Sequence, residues 1–317
     1  MQLRIRVFAA VAVALLAAPL FAEEVVQPKR LRLIFITTCV DEDFFIPLKK
    51  GMEDAAKLMD VECEFTGTHG VDVKKQAAMV TKAVEDGYDG IALNLIDTEA
   101  FDGVVQKALD AGVPVVAFNT DDSRTENARL STVSQDVYQA GRSLAQEALS
   151  FIPAGSHILM TQHDANVLSL DERLRGEQEI LKEKGITWTA IVTGRYPDEA
   201  SVAITKALKA DDRIKFVLCT GQADTEGAGL AIEKHFGSKG TTAAGFDLSP
   251  NILRLIKAGH IRCTIDQQPY IQGFYPVVQL ALYCRLGIMP SDMDAGAGII
   301  DQSNVDRVIE LNKKHYR

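Results

Sequence analysis

The feature that most constrains this chain is a regular alternation of short apolar segments with longer amphipathic ones. Residues 33–36 are wholly apolar, residues 47–57 have a helical pattern, and residues 61–65 alternate as a strand does. The alternation continues in units of about 25 to 30 residues, which is typical of parallel strands joined by helices. Because the strands are almost continuously apolar, we expect them to be buried on both faces of a doubly wound sheet.

The same alternation begins again after residue 130, so the sequence predicts two successive α/β units. The main crossover between them is predicted at residues 132–135. The segment after residue 268 is too short for a third domain. It is predicted to form a helix over residues 272–286 and to pass back across the lobes in a multi-stranded hinge. The predicted N-terminal lobe comprises residues 30–132 and 268–297, and the predicted C-terminal lobe comprises residues 133–267 and 298–317.

The first 22 residues are typical of a secretory signal peptide. Arg4 and Arg6 precede an apolar run over residues 7–20, and cleavage is predicted near Ala22. The alternative is a membrane anchor, although the run is short for a span of about 20 residues. We therefore expect export to the periplasm.

Charge and cysteine content narrow the class of protein further. The net charge is −9 and no basic block occurs, which argues against a nucleic-acid partner. An odd number of cysteines leaves at least one thiol unpaired in a secreted protein, while one disulfide stays open as an alternative. Because no C-x-x-C spacing occurs, we predict no metal site and no cofactor. The cysteines are Cys39, Cys63, Cys219, Cys263 and Cys284.

Signals for catalysis are weak. Gly227 and Gly229 follow a strand pattern, but Ile232 stands where the third glycine of a dinucleotide-binding motif would be. No phosphate-binding glycine loop, nucleophile elbow or zinc-protease motif occurs. His163 and Asp164 form the one suggestive pair, for which a solvated loop is the favoured interpretation. The sequence therefore predicts no catalytic residue and a protein that is not an enzyme.

Polar and aromatic side chains follow the predicted strands, at the edge where open α/β sheets bind ligands. The first strand is followed by an acidic loop that contains Asp41, and then by the adjacent rings of Phe44 and Phe45. Asn94 and Asn119 stand at the ends of the third and fourth strands. Rings offer flat apolar faces and amides offer hydrogen bonds, which together suit a small ligand. The alternative is that the two rings only cap the sheet.

Six short motifs occur in a characteristic order and spacing, and they carry a family resemblance. They are Phe44-Phe45 with residues 48–51, and residues 93–94, 118–121, 171–176, 245–247 and 264–269. On these motifs the chain resembles the periplasmic substrate-binding proteins of bacterial sugar ABC transporters, in the ribose-binding-like class. The resemblance covers nearly everything after the predicted signal peptide. It implies two doubly wound, Rossmann-like α/β lobes with parallel sheets, joined by three crossings and closing on a ligand between them.

The resemblance also implies roles for individual residues. The ring of a sugar would lie against Phe44 or Phe45 from the first lobe and Tyr196 from the second. Arg173 would fork onto ligand hydroxyls with its planar set of donors. The other polar contacts that the resemblance implies are Asn94, Asn119, Asp247 and Gln267.

Several of these residues also have a structural interpretation. Arg173 could pair with Glu172 or Glu177 on its own helix. Asp247 could cap the helix that follows Pro250. Asn94 could be a turn residue, and Tyr196 could serve packing alone.

Three departures from the ribose-binding pattern bear on the ligand. The loop over residues 41–43 is acidic where asparagine and proline are usual, and Asn119 begins a pair that is usually Asp-Arg. Gly221 stands where asparagine is usual, so Gln222 or Asp224 is expected to supply that contact. An acidic loop disfavours an anionic ligand. We therefore predict a small neutral pentose, hexose or sugar alcohol.

The predicted function is a monomeric receptor that closes on its sugar by a hinge motion and delivers it to an ABC transporter permease. A receptor for a sugar-like signalling molecule or a chemotaxis ligand stays open as an alternative. A sugar-responsive repressor would need a basic helix-turn-helix, whereas residues 1–30 are apolar and then acidic. A secreted sugar-modifying enzyme would need a nucleophile or an acid–base pair, and none stands out.

Overall fold

Two six-stranded sheets, each covered by helices on both faces, form the protein. The computed structural model describes residues 30–97, 99–121 and 127–317. The predicted signal peptide lies outside the described residues. Within those residues, no helix combines the length and the apolar character needed to cross a membrane.

The first sheet is wholly parallel, with the strand order β11-β5-β4-β3-β1-β2. Its central strands are buried on both sides, as the apolar runs predict. The strands are β1 (Arg32–Thr37), β2 (Glu62–Gly67), β3 (Gly90–Leu93), β4 (Val115–Asn119), β5 (Ser131–Ser134) and β11 (Met293–Asp294). The helices against it are α1 (Phe45–Met59), α2 (Val73–Glu85), α3 (Asp102–Asp110) and α9 (Pro269–Leu286).

The second sheet has the order β12-β10-β9-β8-β6-β7, and only the pairing of β12 with β10 is antiparallel. The strands are β6 (His157–Gln162), β7 (Thr187–Val192), β8 (Phe216–Cys219), β9 (Thr242–Phe246), β10 (Ile261–Asp266) and β12 (Gly298–Asp301). The helices are α4 (Val137–Ala148), α5 (Leu168–Glu183), α6 (Pro197–Ala210), α7 (Gln222–Ala231), α8 (Pro250–Ala258) and α10 (Val305–Asn312). We call each sheet with its helices a lobe.

The chain passes between the two lobes three times. The crossings lie between β5 and α4, between β10 and α9, and between β11 and β12. Helix α9 returns to pack on the first sheet through Val277, Leu280 and Ala281, next to Leu33 and Phe35. The predicted α/β architecture of two lobes joined by a three-crossing hinge is therefore confirmed.

Each lobe contains a pair of helices that touch through glycine. A Cβ atom at Gly273 in α9 would lie 1.9 Å from the Leu48 carbonyl oxygen in α1. In the second lobe, a Cβ atom at Gly141 in α4 would lie 2.2 Å from the Arg173 carbonyl oxygen in α5. Since side chains cannot be accommodated at such distances, glycine brings the helix backbones together. The second contact fixes the turn of α5 that carries Arg173.

Several parts of the chain differ from the sequence-based prediction. Helix α1 begins at Phe45 rather than near residue 47, because the Phe45 ring is drawn into the apolar cluster on the first sheet. Helix α7 ends as α-helix at Ala231, and Ile232–Phe236 continues it as one π-helical turn, which the sequence pattern does not indicate. The short strands β11 and β12, which close the outer edges of the two sheets, were not predicted.

Candidate functional site

A continuous chain of polar side chains links the carboxyl ends of strands from both sheets. Asn94 Nδ2 donates to Asn119 Oδ1 at 3.0 Å, and Asn119 Nδ2 donates to Gln267 Oε1 at 3.4 Å. Gln267 Nε2 in turn donates to Asp247 Oδ1 at 2.5 Å. Asp247 Oδ2 lies 3.9 Å from Arg173 Nη1. Five residues predicted from the sequence are thus brought together where the two lobes meet.

Arg173 is the buried end of this chain. Its side chain is 4% exposed, and its two terminal nitrogens donate at 2.9 Å to the Thr220 carbonyl and to Gln135 Oε1. The guanidinium also lies over the Phe246 ring, 4.1 Å from the ring centroid. Glu172 pairs with Arg175 instead of Arg173. These contacts place the guanidinium near Asp247, and Glu177 on the same helix also interacts with it electrostatically.

The same geometry bears on the structural interpretations of Asp247, Asn94 and Tyr196. Ser249, not Asp247, caps α8, since its hydroxyl accepts from Ile252 N at 3.0 Å. Asn94 is 1% exposed and bonded to its neighbouring strand end. Tyr196 precedes α6 and is 68% exposed. The structure therefore separates Tyr196 from the buried polar chain.

The backbone is left-handed at several of these positions. Asn119 has φ 65°, Asp247 has φ 69° and Gln268 has φ 55°. Asparagine and aspartate tolerate this region better than other residues with a side chain. Non-glycine residues in this conformation cluster at functional sites, where surrounding contacts hold them. Each left-handed residue here lies at or beside a strand end that carries the polar chain.

The adjacent rings of Phe44 and Phe45 have different environments. Phe45 is 4% exposed and packs in the core of the first lobe, 5.6 Å from the Phe65 ring centroid. Phe44 is half-buried and meets Phe45 edge to face at 5.2 Å. Phe44 is thus the ring that is partly open to contact with a ligand, whereas Phe45 packs against it in the core.

A cavity of about 540 Å³ opens between the lobes beside Phe44. Three residues predicted from the sequence line it, namely Phe44, Gln222 and Asp247. Its volume is in the range of small-molecule sites. The rest of its wall comes from α8, from α10 and the segment after it, and from the start of α1. These other lining residues are Asp43, Ile46, Pro47, Leu248, Ser249, Pro250, Leu253, Arg254, Lys257, Asp266, Pro269, Ile309, Asn312, Lys313, His315 and Arg317.

The acidic loop after β1 presents different carboxylates to different surroundings. Asp41 is exposed and pairs with His69 on the first lobe. Glu42 is also exposed as a residue, but partial desolvation raises the pKa of its carboxyl, and a hydrogen bond with Cys39 and the charge of Arg195 in the second lobe partly oppose that rise. Arg195 is held by Asp164, whose Oδ2 accepts from Arg195 Nε at 2.6 Å. The sequence prediction selected Asp41 and missed Glu42 and Arg195, which lie on opposite sides of the cleft.

Acidic groups lie beneath the site in the second lobe. Asp224 Oδ2 accepts from Thr161 Oγ1 at 2.7 Å and from Thr220 N at 2.9 Å. Burial raises the pKa of Asp224 to about 7, and it raises the pKa of Glu177 well above its ordinary value. Across the part of the chain that the structure describes, no cluster of His, Cys, Asp and Glu could hold a metal ion. The five cysteines carry free thiols.

The fold and the site define a two-lobed α/β binding protein with its ligand cleft at the hinge. The periplasmic binding protein domain family matches residues 33–287. The xylose/arabinose-binding protein XylF of Sulfolobus acidocaldarius is 30% identical over 289 residues, which cover 86% of this chain and 72% of that protein. The D-apiose import binding protein of Actinobacillus succinogenes is 27% identical, over 94% of this chain and 96% of that one.

A solved structure is similar over nearly the whole fold. A carbohydrate transporter protein of Acidothermus cellulolyticus, determined in complex with myo-inositol, is 27% identical, with a TM-score of 0.79. The match covers 91% of this chain and all of that one. The chain belongs to the periplasmic binding protein family, among the sugar-binding proteins of the ribose-binding type. The family resemblance drawn from the sequence is therefore confirmed.

Proposed function

We propose that this chain is the receptor of an ABC importer, and that it binds a small neutral sugar or sugar alcohol between its lobes. The observation that carries the proposal is the polar chain from Asn94 to Arg173. It joins strand ends of both sheets through the hinge residue Gln267, so a ligand held there contacts both lobes. Binding energy can then favour the closed state, which a permease would recognise.

The composition of the site suits hydroxyl groups. A hydroxyl both donates and accepts, so it can bridge the Asp247 carboxylate and the Arg173 guanidinium. Phe44 offers a ring face for the apolar side of a sugar. Glu42 and Asp43 add negative charge at the cleft, which disfavours an anionic ligand. The names of the relatives, which refer to xylose, arabinose and apiose, support the same class.

We also propose the cellular location and the oligomeric state in which the receptor works. Residues 1–22 would direct export to the periplasm and would be removed near Ala22. The mature receptor would act as a monomer, because both lobes must be free to meet the permease. It would bind its ligand without chemical change, since the relatives are named as binding and import proteins.

A thermal-shift panel tests the proposal. The purified protein is heated with D-xylose, L-arabinose, D-ribose, D-apiose and myo-inositol, and with L-glutamine and D-galacturonate as controls. A ligand at 100 times its Kd should add about 2.7 kcal/mol to the free energy of unfolding. We expect a clear rise in Tm with at least one neutral sugar or polyol, and none with the two controls.

Two variants test whether a ligand-dependent rise in Tm comes from binding at the proposed site. Asp247→Ala should abolish the ligand-dependent shift, whereas Asp86→Ala should retain it, because Asp86 is exposed and pairs with Lys82 on the surface, away from the cavity. A shift from L-glutamine or D-galacturonate alone would overturn the sugar assignment. A sugar-dependent shift that survives in Asp247→Ala would place the ligand elsewhere.

A further inference from the structure

His163 lies in the loop between β6 and α5, on the second-lobe side of the cleft. The charged groups that interact with it electrostatically include Asp247, Asp164, Arg173 and Arg195. Burial lowers the pKa of the imidazole, and Asp247 and Asp164 oppose part of that change. The ring is therefore mainly neutral at pH 7, with one N–H donor and one acceptor nitrogen. Of the four charged groups, Asp247 and Arg173 belong to the proposed sugar site. The other two, Asp164 and Arg195, flank it.

One nitrogen of this ring has no hydrogen-bond partner in the part of the chain that the structure describes. Nδ1 of His163 is buried and makes no hydrogen bond to any residue within 30–97, 99–121 or 127–317. Leaving a buried polar atom unpaired costs about 1–3 kcal/mol. At a binding site, such an atom is suited to pair with the ligand. The imidazole thus offers a hydrogen-bonding position next to the residues that the site already contains.

Gly221 explains how the ring reaches this place. Its backbone is extended, with φ −150° and ψ 179°, so the conformation does not require glycine. The position of the His163 ring, however, leaves no room for a Cβ atom at residue 221. A Cβ atom at position 221 would lie 2.6 Å from His163 Cδ2 and 3.1 Å from His163 Nε2. Glycine at this strand end and histidine in the facing loop are therefore complementary in shape.

Position 221 stands between two parts of the site. The preceding residue, Thr220, holds Arg173 through its carbonyl at 2.9 Å, and the following residue, Gln222, lines the cavity with Asp247. Asp224 lies against the same position: its Oδ2 accepts from Thr161 and Thr220, and its Oδ1 would lie 3.2 Å from a Cβ atom at position 221. The polar groups next to Gly221 are therefore the histidine ring and this carboxylate oxygen.

We infer that His163 is a specificity-determining ligand contact, which hydrogen-bonds a sugar hydroxyl from the space that Gly221 leaves open. The inference rests on the proposed function, since it adds a residue to the same sugar site. Gly221 acts as a positioning residue that gives the ring room. The hydrogen-bonding group is thus carried by the neighbouring loop and not by position 221.

A double-mutant cycle tests the inference. Kd values are measured by titration calorimetry with D-xylose, L-arabinose, D-ribose, D-apiose and myo-inositol for the wild type, His163→Ala, Gly221→Ala and the double variant. We expect a loss of about tenfold or more for His163→Ala, the size of one hydrogen bond to a buried group. Gly221→Ala should also weaken binding, because its methyl group displaces the ring. The double variant should bind no worse than His163→Ala, since the displaced ring is already absent.

Two further measurements separate a ligand contact from a structural role. The matched control is His157→Ala, which removes an exposed histidine bonded to Thr187 and Thr189 on the same sheet and should leave Kd unchanged. The NMR signal of the His163 ring should move on addition of a binding sugar. The Tm of each ligand-free variant shows that it is folded.

The possible outcomes are distinct. A Kd within twofold of wild type for His163→Ala with every sugar that binds, or additive effects of the two substitutions, overturns the inference and leaves the sugar site intact. Absence of binding by the wild type to all five compounds overturns the proposed function, and the inference with it. Weakened binding with non-additive effects and a moving ring signal supports both.

Discussion

The Asp247 carboxylate and the Arg173 guanidinium face each other across 3.9 Å, measured from Oδ2 to Nη1, with both side chains almost fully buried. A hydrogen bond between such groups would be about 2.7–2.9 Å long. The two groups therefore attract each other without forming a direct hydrogen bond, and Asp247 also lines the cavity between the lobes. A ligand hydroxyl that donates to Asp247 and accepts from Arg173 would complete it.

Arg173→Lys should weaken sugar binding by about 10- to 100-fold although the charge is kept. Lysine has no planar fork and cannot contact the Thr220 carbonyl, Gln135 and a ligand in the same geometry. Titration calorimetry with the sugar that gives the largest thermal shift measures the effect. The control is Arg175→Lys in the same helix, whose side chain is 60% exposed and pairs with Glu172. Equal Kd values for Arg173→Lys and wild type would show that the fork is not used.

Gly273→Ala should destabilise the first lobe by about 1–3 kcal/mol, the usual cost of overpacking. The added methyl group would meet the Leu48 carbonyl oxygen of α1, a rigid backbone atom. This cost exceeds the gain in helix propensity of up to about 1 kcal/mol that alanine brings. Gly103→Ala is the control, because Gly103 in α3 has open space around its Cβ position. Urea denaturation should show lower stability for the first variant and equal or higher stability for the second.

Buried acids under the site should make the protein less stable as the pH rises. Burial raises the pKa of Asp224 to about 7, while the unfolded chain has the ordinary value near 4. Between these values the folded state binds more protons than the unfolded state. Its stability therefore falls as the pH rises through this window, and the loss is complete above the folded pKa. Glu177, whose pKa burial also raises, acts in the same direction.

Asp224→Asn should flatten this part of the pH profile. The amide oxygen can still accept from Thr161 and Thr220, and it has no proton to lose. Urea denaturation at pH 5 and at pH 8 measures the difference for the variant and the wild type. We expect the wild type to lose more stability than the variant over this interval. An equal loss in both proteins would contradict a raised pKa at Asp224.

The sequence predicts the elements well because burial and helix periodicity are local properties. It also indicates Asn94 and Asn119, which follow or end a buried strand, because the carboxyl ends of parallel strands converge. Asp247 was implied by the family resemblance. The separation of Phe44 from Phe45 depends on where α1 begins, which the core decides. The start of α1 is set by packing between distant segments, so a local sequence pattern does not predict it.

Residues that act across the cleft are harder to predict from the sequence. Glu42 and Arg195 are far apart in the chain, and neither follows a strand as its first polar residue. His163 becomes significant only once Gly221 is known to lie against its ring. Two features of the sequence could have indicated this contact. One is the loop histidine at position 163, and the other is Gly221, which stands where the resemblance leads one to expect asparagine.

Arg317→Ala should destabilise the protein, and more strongly at pH 8 than at pH 5. Arg317 Nη1 lies 2.5 Å from Asp266 Oδ2, at the end of β10 beside the hinge, and Asp266 is 1% exposed. Burial raises the pKa of Asp266, and Arg317 counteracts that rise.

Without the arginine, the folded pKa would rise further above the unfolded value, so more stability would be lost as the pH increases through that interval. We expect a cost of about 1–3 kcal/mol at pH 8, as for a buried charge that loses its partner. Lys313→Ala, in the same segment but paired with Glu310 on the surface, is the control and should be nearly neutral. Equal stability of Arg317→Ala and wild type at pH 8 would show that Asp266 is held without this contact.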